Sequence, residues 1–392
     1  MRQPKGFEDS LHPNLVCLLR KAIYGLRWAP RQWYTTFSSY LIQLGFQHSK
    51  SDPSLLTLRK GHTQIYLLVY VEDILITGND ESAISTFLDK LNATFSLKHL
   101  GTANHFLGIK IQQLPDKYFL SQHAYALSII KQANLLNCNP TANPSCTKMP
   151  AAIPTDNKLG DPSLYRKLTG ALQYLTITRP DIAYAVNNLS QHIHDPQPIH
   201  IYLLKRLIRY IKGSANLGLS ITKSDLRLQT FSDADWASDP ITRKSTTGYC
   251  TFLGSTLVSW AVKKQTTVSR SSTESEYRAL AAATADTIWL KRLLHDFHND
   301  HEQPIDLHSD NTSAIALANN PVFHARTKHI KIDHRFVREN ISSNHIRLLP
   351  IKTVDQIADL LTKPLSTTRF RLLRDKLTIS ADLFVCGGLL EK

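Results

Sequence analysis

At 392 residues the chain is long enough for two or three domains, and its 42% hydrophobic content is ample for their cores. A formal net charge of +14 and a pI of about 9.5 make a polyanion a more natural partner than solvent alone. Cys17, Cys138, Cys146, Cys250 and Cys386 are scattered and odd in number, which argues against a disulfide framework or a cysteine zinc site and points to a reducing, intracellular compartment. No run of 18 or more apolar residues appears, so no membrane span is expected, and Met1-Arg-Gln-Pro-Lys-Gly-Phe7 lacks the apolar stretch of a secretory signal.

Residues 1–138 read as mixed α/β. Trp33 to Leu44 suits a helix. Ile65 to Val71 and Ile74 to Thr77 are strand-like runs, with Glu72-Asp73 as a hairpin turn between them, and Phe106 to Ile111 suits a further strand. Residues 139–160 form a linker, marked by Pro140, Pro144, Pro150 and Pro154 among Asn, Ser and Thr. Residues 161–222 read as a helical connection. Its best helix is 199–213, where Leu203, Leu204, Leu207, Ile208 and Ile211 recur at helical spacing opposite Lys205, Arg206, Arg209 and Lys212. From 223 to 375, strands and helices alternate. Arg227 to Ser232, Gly248 to Leu253 and Thr256 to Val262 suit an antiparallel meander, Thr273 to Leu294 a long helix, and Ile305 to His308 a short strand. Residues 376–392 read as a tail.

Four acids in this last region stand in short frames. Asp233 lies in Phe231-Ser-Asp-Ala-Asp-Trp236, and Asp310 in Leu307-His-Ser-Asp-Asn-Thr312, each just after a strand, where acids of an α/β sheet can point into a shared site. Glu276 lies in Ser271-Ser-Thr-Glu-Ser-Glu-Tyr-Arg-Ala-Leu280, and Asp359 in Val354-Asp-Gln-Ile-Ala-Asp-Leu-Leu361. Each alone has an ordinary reading as a turn residue, a helix cap or a solvated helix charge. Thr273-x-x-Glu276 and Ser271-x-x-Glu274 are both capping boxes, so one glutamate can cap while the other binds metal. Converging carboxylates suit Mg²⁺ and can hold two such ions about 4 Å apart for work on a phosphodiester.

The order Asp, Glu, Asp, Asp, with Glu opening a helix, resembles the ribonuclease H domain of retroelement polyproteins. Trp236-Ala-Ser-Asp, Arg243-Lys-Ser-Thr-Thr-Gly-Tyr249, Val258-Ser-Trp-Ala-Val-Lys-Lys-Gln265 and Asn319-Asn-Pro-Val-Phe-His-Ala-Arg-Thr-Lys-His-Ile330 are similar to the copia-type LTR retrotransposon Pol family. Lys21-Ala-Ile-Tyr-Gly-Leu-Arg-Trp-Ala-Pro-Arg-Gln-Trp-Tyr34 and Tyr70-Val-Glu-Asp-Ile-Leu-Ile76 resemble that family's reverse transcriptase, and the likeness runs from about residue 2 to about residue 375. It implies an α/β (α+β) chain: part of a reverse-transcriptase palm and thumb, a helical connection, and a ribonuclease-H-like mixed sheet. It also implies hydrolysis of RNA in an RNA–DNA hybrid with two Mg²⁺ ions, Mn²⁺ being able to replace them, at Asp233, Glu276, Asp310 and Asp359. The family pattern falls on Glu276-Tyr-Arg-Ala-Leu280, which gives Glu276 the metal role and leaves Glu274 as runner-up.

In the polymerase part, the family's Tyr-x-Asp-Asp turn stands here as Tyr70-Val-Glu72-Asp73. The added methylene of Glu72 can displace a ligand by about 1 Å, enough to cost 10²-fold. The family's third aspartate would precede Met1-Arg-Gln-Pro-Lys-Gly-Phe7, and Trp28 stands where the family has Gln. Polymerase activity is therefore not expected. Lys205, Arg206, Arg209, Lys212, Lys263, Lys264, Arg270, Arg326, Lys328 and Lys331 are candidate phosphate contacts, against the plain alternative of solvated charges. His324, His329 and His334 are spaced by five, about 140° apart on a helix, which excludes a shared three-histidine site there. Two rivals remain: an inert nucleic-acid-binding remnant of a larger Pol polyprotein, and a transposase, whose usual order Asp, Asp, Glu differs from the one here.

Overall fold

The computed structural model describes residues 1–20, 23, 25–149, 162–320 and 330–382. Two compact units emerge, residues 1–101 with 296–298, and residues 102–295 with 299–392.

In the first unit, helix α1 (Ala29–Gln43) carries Pro30 in its first turn, where a missing N–H costs nothing. Strands β1 (Gln47–His48), β2 (Leu55–Lys60), β3 (Thr63–Tyr70) and β4 (Asp73–Gly78) form an antiparallel sheet in that order. Helix α2 (Glu81–Thr94) follows, with Asp80 as its N-cap accepting from Ala83 N at 3.0 Å. Alternation along β3 buries Ile65, Leu67 and Val69 against Phe37 and Leu41 of α1 and Phe87 and Leu91 of α2. The expected hairpin is there, shifted by one residue. Tyr70 pairs with Asp73, so the loop is Val71-Glu72 and Asp73 opens β4.

The second unit has two five-stranded sheets. One consists of β5 (His105–Phe106), β6 (Ile109–Gln113), β7 (Lys117–Ser121), β8 (Leu217–Thr222) and, from the far end of the chain, β14 (Ile379–Ala381), in the order β14-β8-β7-β6-β5. Helices α3 (His123–Gln132), α4 (Pro162–Leu175), α5 (Ala183–Ser190) and α6 (Pro198–Lys212) share its core through Ile129, Leu172, Val186 and Leu207. Three expectations change here. The stretch read as one strand, Phe106 to Ile111, is two short strands around a turn at Leu107-Gly108, both with positive φ. Residues 217–222 leave the helical segment to become a strand, and 379–381 of the expected tail pair with them. Within residues 102–138, expected with the palm, Lys117–Leu120 of β7 pair with β8, and the division into compact units falls after Gly101.

The other sheet contains β9 (Leu228–Asp235), β10 (Thr246–Leu253), β11 (Thr256–Lys264), β12 (Ile305–Ser309) and β13 (Ile346–Pro350), in the order β11-β10-β9-β12-β13. The β11-β10-β9 pairings are antiparallel and the β9-β12-β13 pairings parallel. Between β11 and β12 runs the long helix α7 (Ser272–Asp296), with α8 (Thr312–Asn319) and α9 (Lys331–Ser342) after β12. Tyr277, Leu280 and Ala283 of α7 pack on Leu307 and Ile346. The opposite face packs Phe231, Cys250 and Phe252 on Val186 of α5, Leu361 of the one-turn α10 (Asp359–Thr362) and Phe370 of α11 (Thr367–Asp375). A mixed sheet covered by helices on both faces is the α/β arrangement that the sequence implies for this region.

Candidate active site

Two of the acids are brought level by the parallel pairing of β9 and β12. Phe231 is the register partner of His308, so Asp233 and Asp310, each two residues further on, leave the sheet side by side at the carboxyl ends of their strands. Glu276 reaches the same point from the second turn of α7. One ligand atom from each of Asp233, Glu276 and Asp310 lies within 4.8 Å of the others, the only such group of His, Cys, Asp and Glu among the described residues.

Asp233 is 1% exposed and Glu276 6%. Thr362 Oγ1 donates to Asp233 Oδ2, Thr353 Oγ1 donates to Asp310 Oδ2 at 2.8 Å, and the Ala234 N–H faces Glu276. Glu276 Oε2 is buried with no hydrogen-bond partner. Burial, then the nearby Asp233 and Asp310, pushes the Glu276 carboxyl up to about 9. Burial likewise lifts Asp233 to about 6, Lys363 working against it. A buried carboxylate oxygen without a donor, beside two further acids, is costly unless a cation joins them. An all-oxygen set of this kind suits a hard divalent ion such as Mg²⁺ or Mn²⁺.

Glu274 and Glu276 divide as their frames allow. Ser271 Oγ accepts from Glu274 N at 3.2 Å, and Glu274 Oε2 accepts from Arg270 N at 3.0 Å, so Glu274 caps α7 while also pairing with Arg278 at 2.9 Å. The Ser271 pair thus makes the forward bond of its box, with a return bond from the Arg270 N–H, while Glu276 turns to the acid cluster instead. Asp359 does not join the trio. It is 2% exposed at the first turn of α10, with Lys363 Nζ 2.7 Å from Oδ1 and Arg369 Nη2 2.5 Å from Oδ2. Lys363 Nζ also lies 3.3 Å from Asp233 Oδ2. Asp235 is held up by burial near the same lysine. Lys363, Thr362, Thr353, Arg369 and Asp235 were not among the expected site residues. The Asp359-to-Lys363 spacing of four, a helix ion-pair signature, is the one signal that marked any of them.

Glu72 and Asp73 lie exposed at the tip of the β3–β4 hairpin, where Val71 has φ +53°. For a β-branched residue that is a strained conformation.

The expected basic contacts fare unevenly. Arg206 Nε donates to Ser145 O at 3.0 Å, Arg209 Nε to Asn139 O at 2.7 Å and Lys212 Nζ to Cys138 O at 2.6 Å. The basic face of α6 thus satisfies carbonyls of the 138–145 segment, which has no secondary structure of its own to do so. Lys205 is half-buried on the same helix. Lys264 is paired with Asp239, while Lys263, Arg270 and Lys331 are exposed. Arg326 and Lys328 lie outside the described residues, as do His324 and His329. His334 is a core residue, 3% exposed and stacked on Tyr277 with ring centroids 5.7 Å apart.

Residues 1–147 match the reverse transcriptase (RNA-dependent DNA polymerase) family. The retrovirus-related Pol polyprotein from transposon RE2 of Arabidopsis thaliana is 44% identical over 392 residues, covering 100% of this chain and 27% of its own length. A protein ascribed to transposon Ty5-1 in Saccharomyces cerevisiae is 30% identical over 281 residues, 71% of this chain and 91% of its own. Among solved structures, the N-terminal ribonuclease H domain of a Mycobacterium tuberculosis protein, fused to maltose-binding protein, has a TM-score of 0.26 and 12% identity over 38% of this chain and 98% of its own. The chain spans about a quarter of the length of the Pol polyproteins it matches.

Proposed function

The chain belongs to the copia-type retrotransposon Pol family, and on that premise we propose that residues 223–375 hydrolyse the RNA strand of an RNA–DNA hybrid, with Asp233, Glu276 and Asp310 holding a divalent ion. The observation that supports this most is the meeting of three carboxylates within 4.8 Å, one of them with a buried oxygen that no protein group satisfies. When bound, such an ion supplies Lewis acidity at a phosphoryl oxygen and lowers the pKa of a water. The protein's part is positioning. Thr362 fixes Asp233, the Ala234 N–H fixes Glu276, and Thr353 fixes Asp310, so each acid keeps one geometry. Water adds to phosphorus and the 3′ oxygen leaves, giving 5′-phosphate and 3′-hydroxyl ends. A 2′-hydroxyl beside the scissile phosphate is the feature by which the site would choose RNA. The +14 charge favours the hybrid through its phosphates.

Polymerase chemistry is not part of this reading. Among the described residues no acid joins Glu72 and Asp73 in a metal-holding group.

The test is Mg²⁺-dependent cleavage of labelled RNA in a hybrid, comparing the chain with Asp310→Asn, alongside primer extension on an RNA template. Cleavage by the parent, at least 10³-fold slower in the variant, with no extension by either, is expected. A folded parent that leaves the hybrid whole, or a variant that cuts as fast, would refute the assignment.

A further inference from the structure

The fourth acid stands apart from the trio but shares one neighbour, Lys363, with Asp233. Lys363 leaves the end of α10 and puts its ammonium between Asp233 and Asp359, 3.3 Å and 2.7 Å from their carboxylate oxygens. Arg369 takes the remaining oxygen of Asp359 at 2.5 Å. The two carboxylates are enclosed, while the lysine stays partly open to solvent. Asp233 and Asp359 are 1% and 2% exposed, and the Lys363 side chain 31%. The arrangement is also held from behind. In register opposite Asp233 stands Gly248, where an added Cβ would lie 2.6 Å from Thr362 and 2.8 Å from Leu361. Only a residue without a side chain lets α10 come close enough to β10 to deliver the lysine. Burial opposes the charge on Lys363, but Asp233 and Asp359 outweigh it and raise its pKa.

We propose that Lys363 takes the place between Asp233 and Asp359 that a second divalent ion would need, so that the site holds one ion, on Asp233, Glu276 and Asp310, beside a permanent ammonium. This rests on the metal reading of the trio given above. Asp233 then serves two cations, the ion on one side and the lysine on the other. Asp359 acts as a positioning residue that anchors Lys363 rather than as a metal ligand. Asp359 already has two cation partners of its own, Lys363 and Arg369. Two divalent ions and an ammonium would have to share the carboxylates of Asp233, Glu276, Asp310 and Asp359.

The experiment counts bound Mn²⁺ by electron paramagnetic resonance, on the whole chain, alone and with an uncleavable hybrid whose RNA strand is 2′-O-methylated. The parent is expected to bind one ion per chain in both cases, Asp310→Asn to lose it, and Lys363→Met, with its stem retained, to bind two. Two ions on the parent would overturn the proposal while leaving the metal reading of the trio standing. One ion on a Lys363→Met protein that melts like the parent would do the same. No ion on the parent, or an unchanged ion on Asp310→Asn, would sink the metal reading itself and the lysine's role with it. Should Lys363→Met fail to fold, the parent's count with hybrid decides alone.

Discussion

Glu274 and Glu276 are two residues apart, both 6% exposed, and serve unrelated ends. Glu274 spends its carboxylate on the Arg270 N–H and on Arg278, whereas Glu276 keeps a buried oxygen free of protein donors. Substitution should separate them. Glu274→Ala removes a cap interaction and should cost about 0.5–2 kcal/mol in a urea melt, with hybrid cleavage within a few-fold of the parent. Glu276→Gln should leave the melt nearly intact but weaken Mn²⁺ binding at least tenfold and abolish cleavage. Inactive Glu274→Ala with full stability would reverse the two roles. At this scale the sequence was legible where a residue sits in a frame with local meaning: the acid after a strand, or a capping box with two alternatives. It was not legible at Lys363 or Thr362, whose partner Asp233 lies some 130 residues earlier and is met only once α10 has docked on β10.

Among the elements, the turn between α4 and α5 is fixed by a buried charge network. Arg179 and Asp181 are each 1% exposed, with Arg179 Nη2 2.8 Å from Asp181 Oδ2. Arg179 also donates to Ser214 O at 2.6 Å and Tyr210 OH to Asp181 Oδ2 at 2.6 Å, which ties the turn to the end of α6. Burial disfavours the Asp181 carboxylate, yet Arg179 and the Tyr210 hydroxyl outweigh it and hold the carboxyl below its usual value. A depressed acid stabilises the fold above its unfolded pKa, about 3.9, and that contribution is lost as pH falls through the lower folded value. Asp181→Asn should therefore cost about 3–5 kcal/mol at pH 7, because it strands a buried guanidinium. The gap to the parent should narrow as pH drops below about 4. Urea melts at both pH values decide it, and a gap that stays constant would mean that the carboxylate is not what the fold uses. Helix α6 itself was legible from its 3.6-residue period, but its basic face was not. Arg206, Arg209 and Lys212 look like a phosphate track until the 138–145 carbonyls fold against them, and those partners lie about 60 to 75 residues away. Strands β8 and β14 were hidden for the same reason, being short, with pairings that join residues 217–222 to 379–381.

At the scale of the whole molecule, the two units have separate hydrophobic cores, one around Phe37, Leu67 and Leu91 and the others around Leu172, Leu207 and Tyr277. Domain-sized pieces with their own cores can fold alone. The division after Gly101, rather than at the Pro-rich stretch that composition suggested, makes a definite prediction about where the chain can be cut. Composition marks where a chain is irregular, whereas a boundary is set by which strands pair. Here β7 pairs with β8 across the whole of 139–216. A fragment of residues 102–392 should melt cooperatively and cleave a hybrid within about tenfold of the full chain. A fragment of residues 139–392 would lose β5, β6, β7 and α3, leave one long edge of β8 unpaired and expose the face of Ile211 and Leu219, and should aggregate. Thermal melts and size-exclusion profiles of the two fragments test this directly. A well-behaved 139–392 fragment beside an insoluble 102–392 fragment would place the boundary back at the linker and show that β7 is dispensable to the second unit.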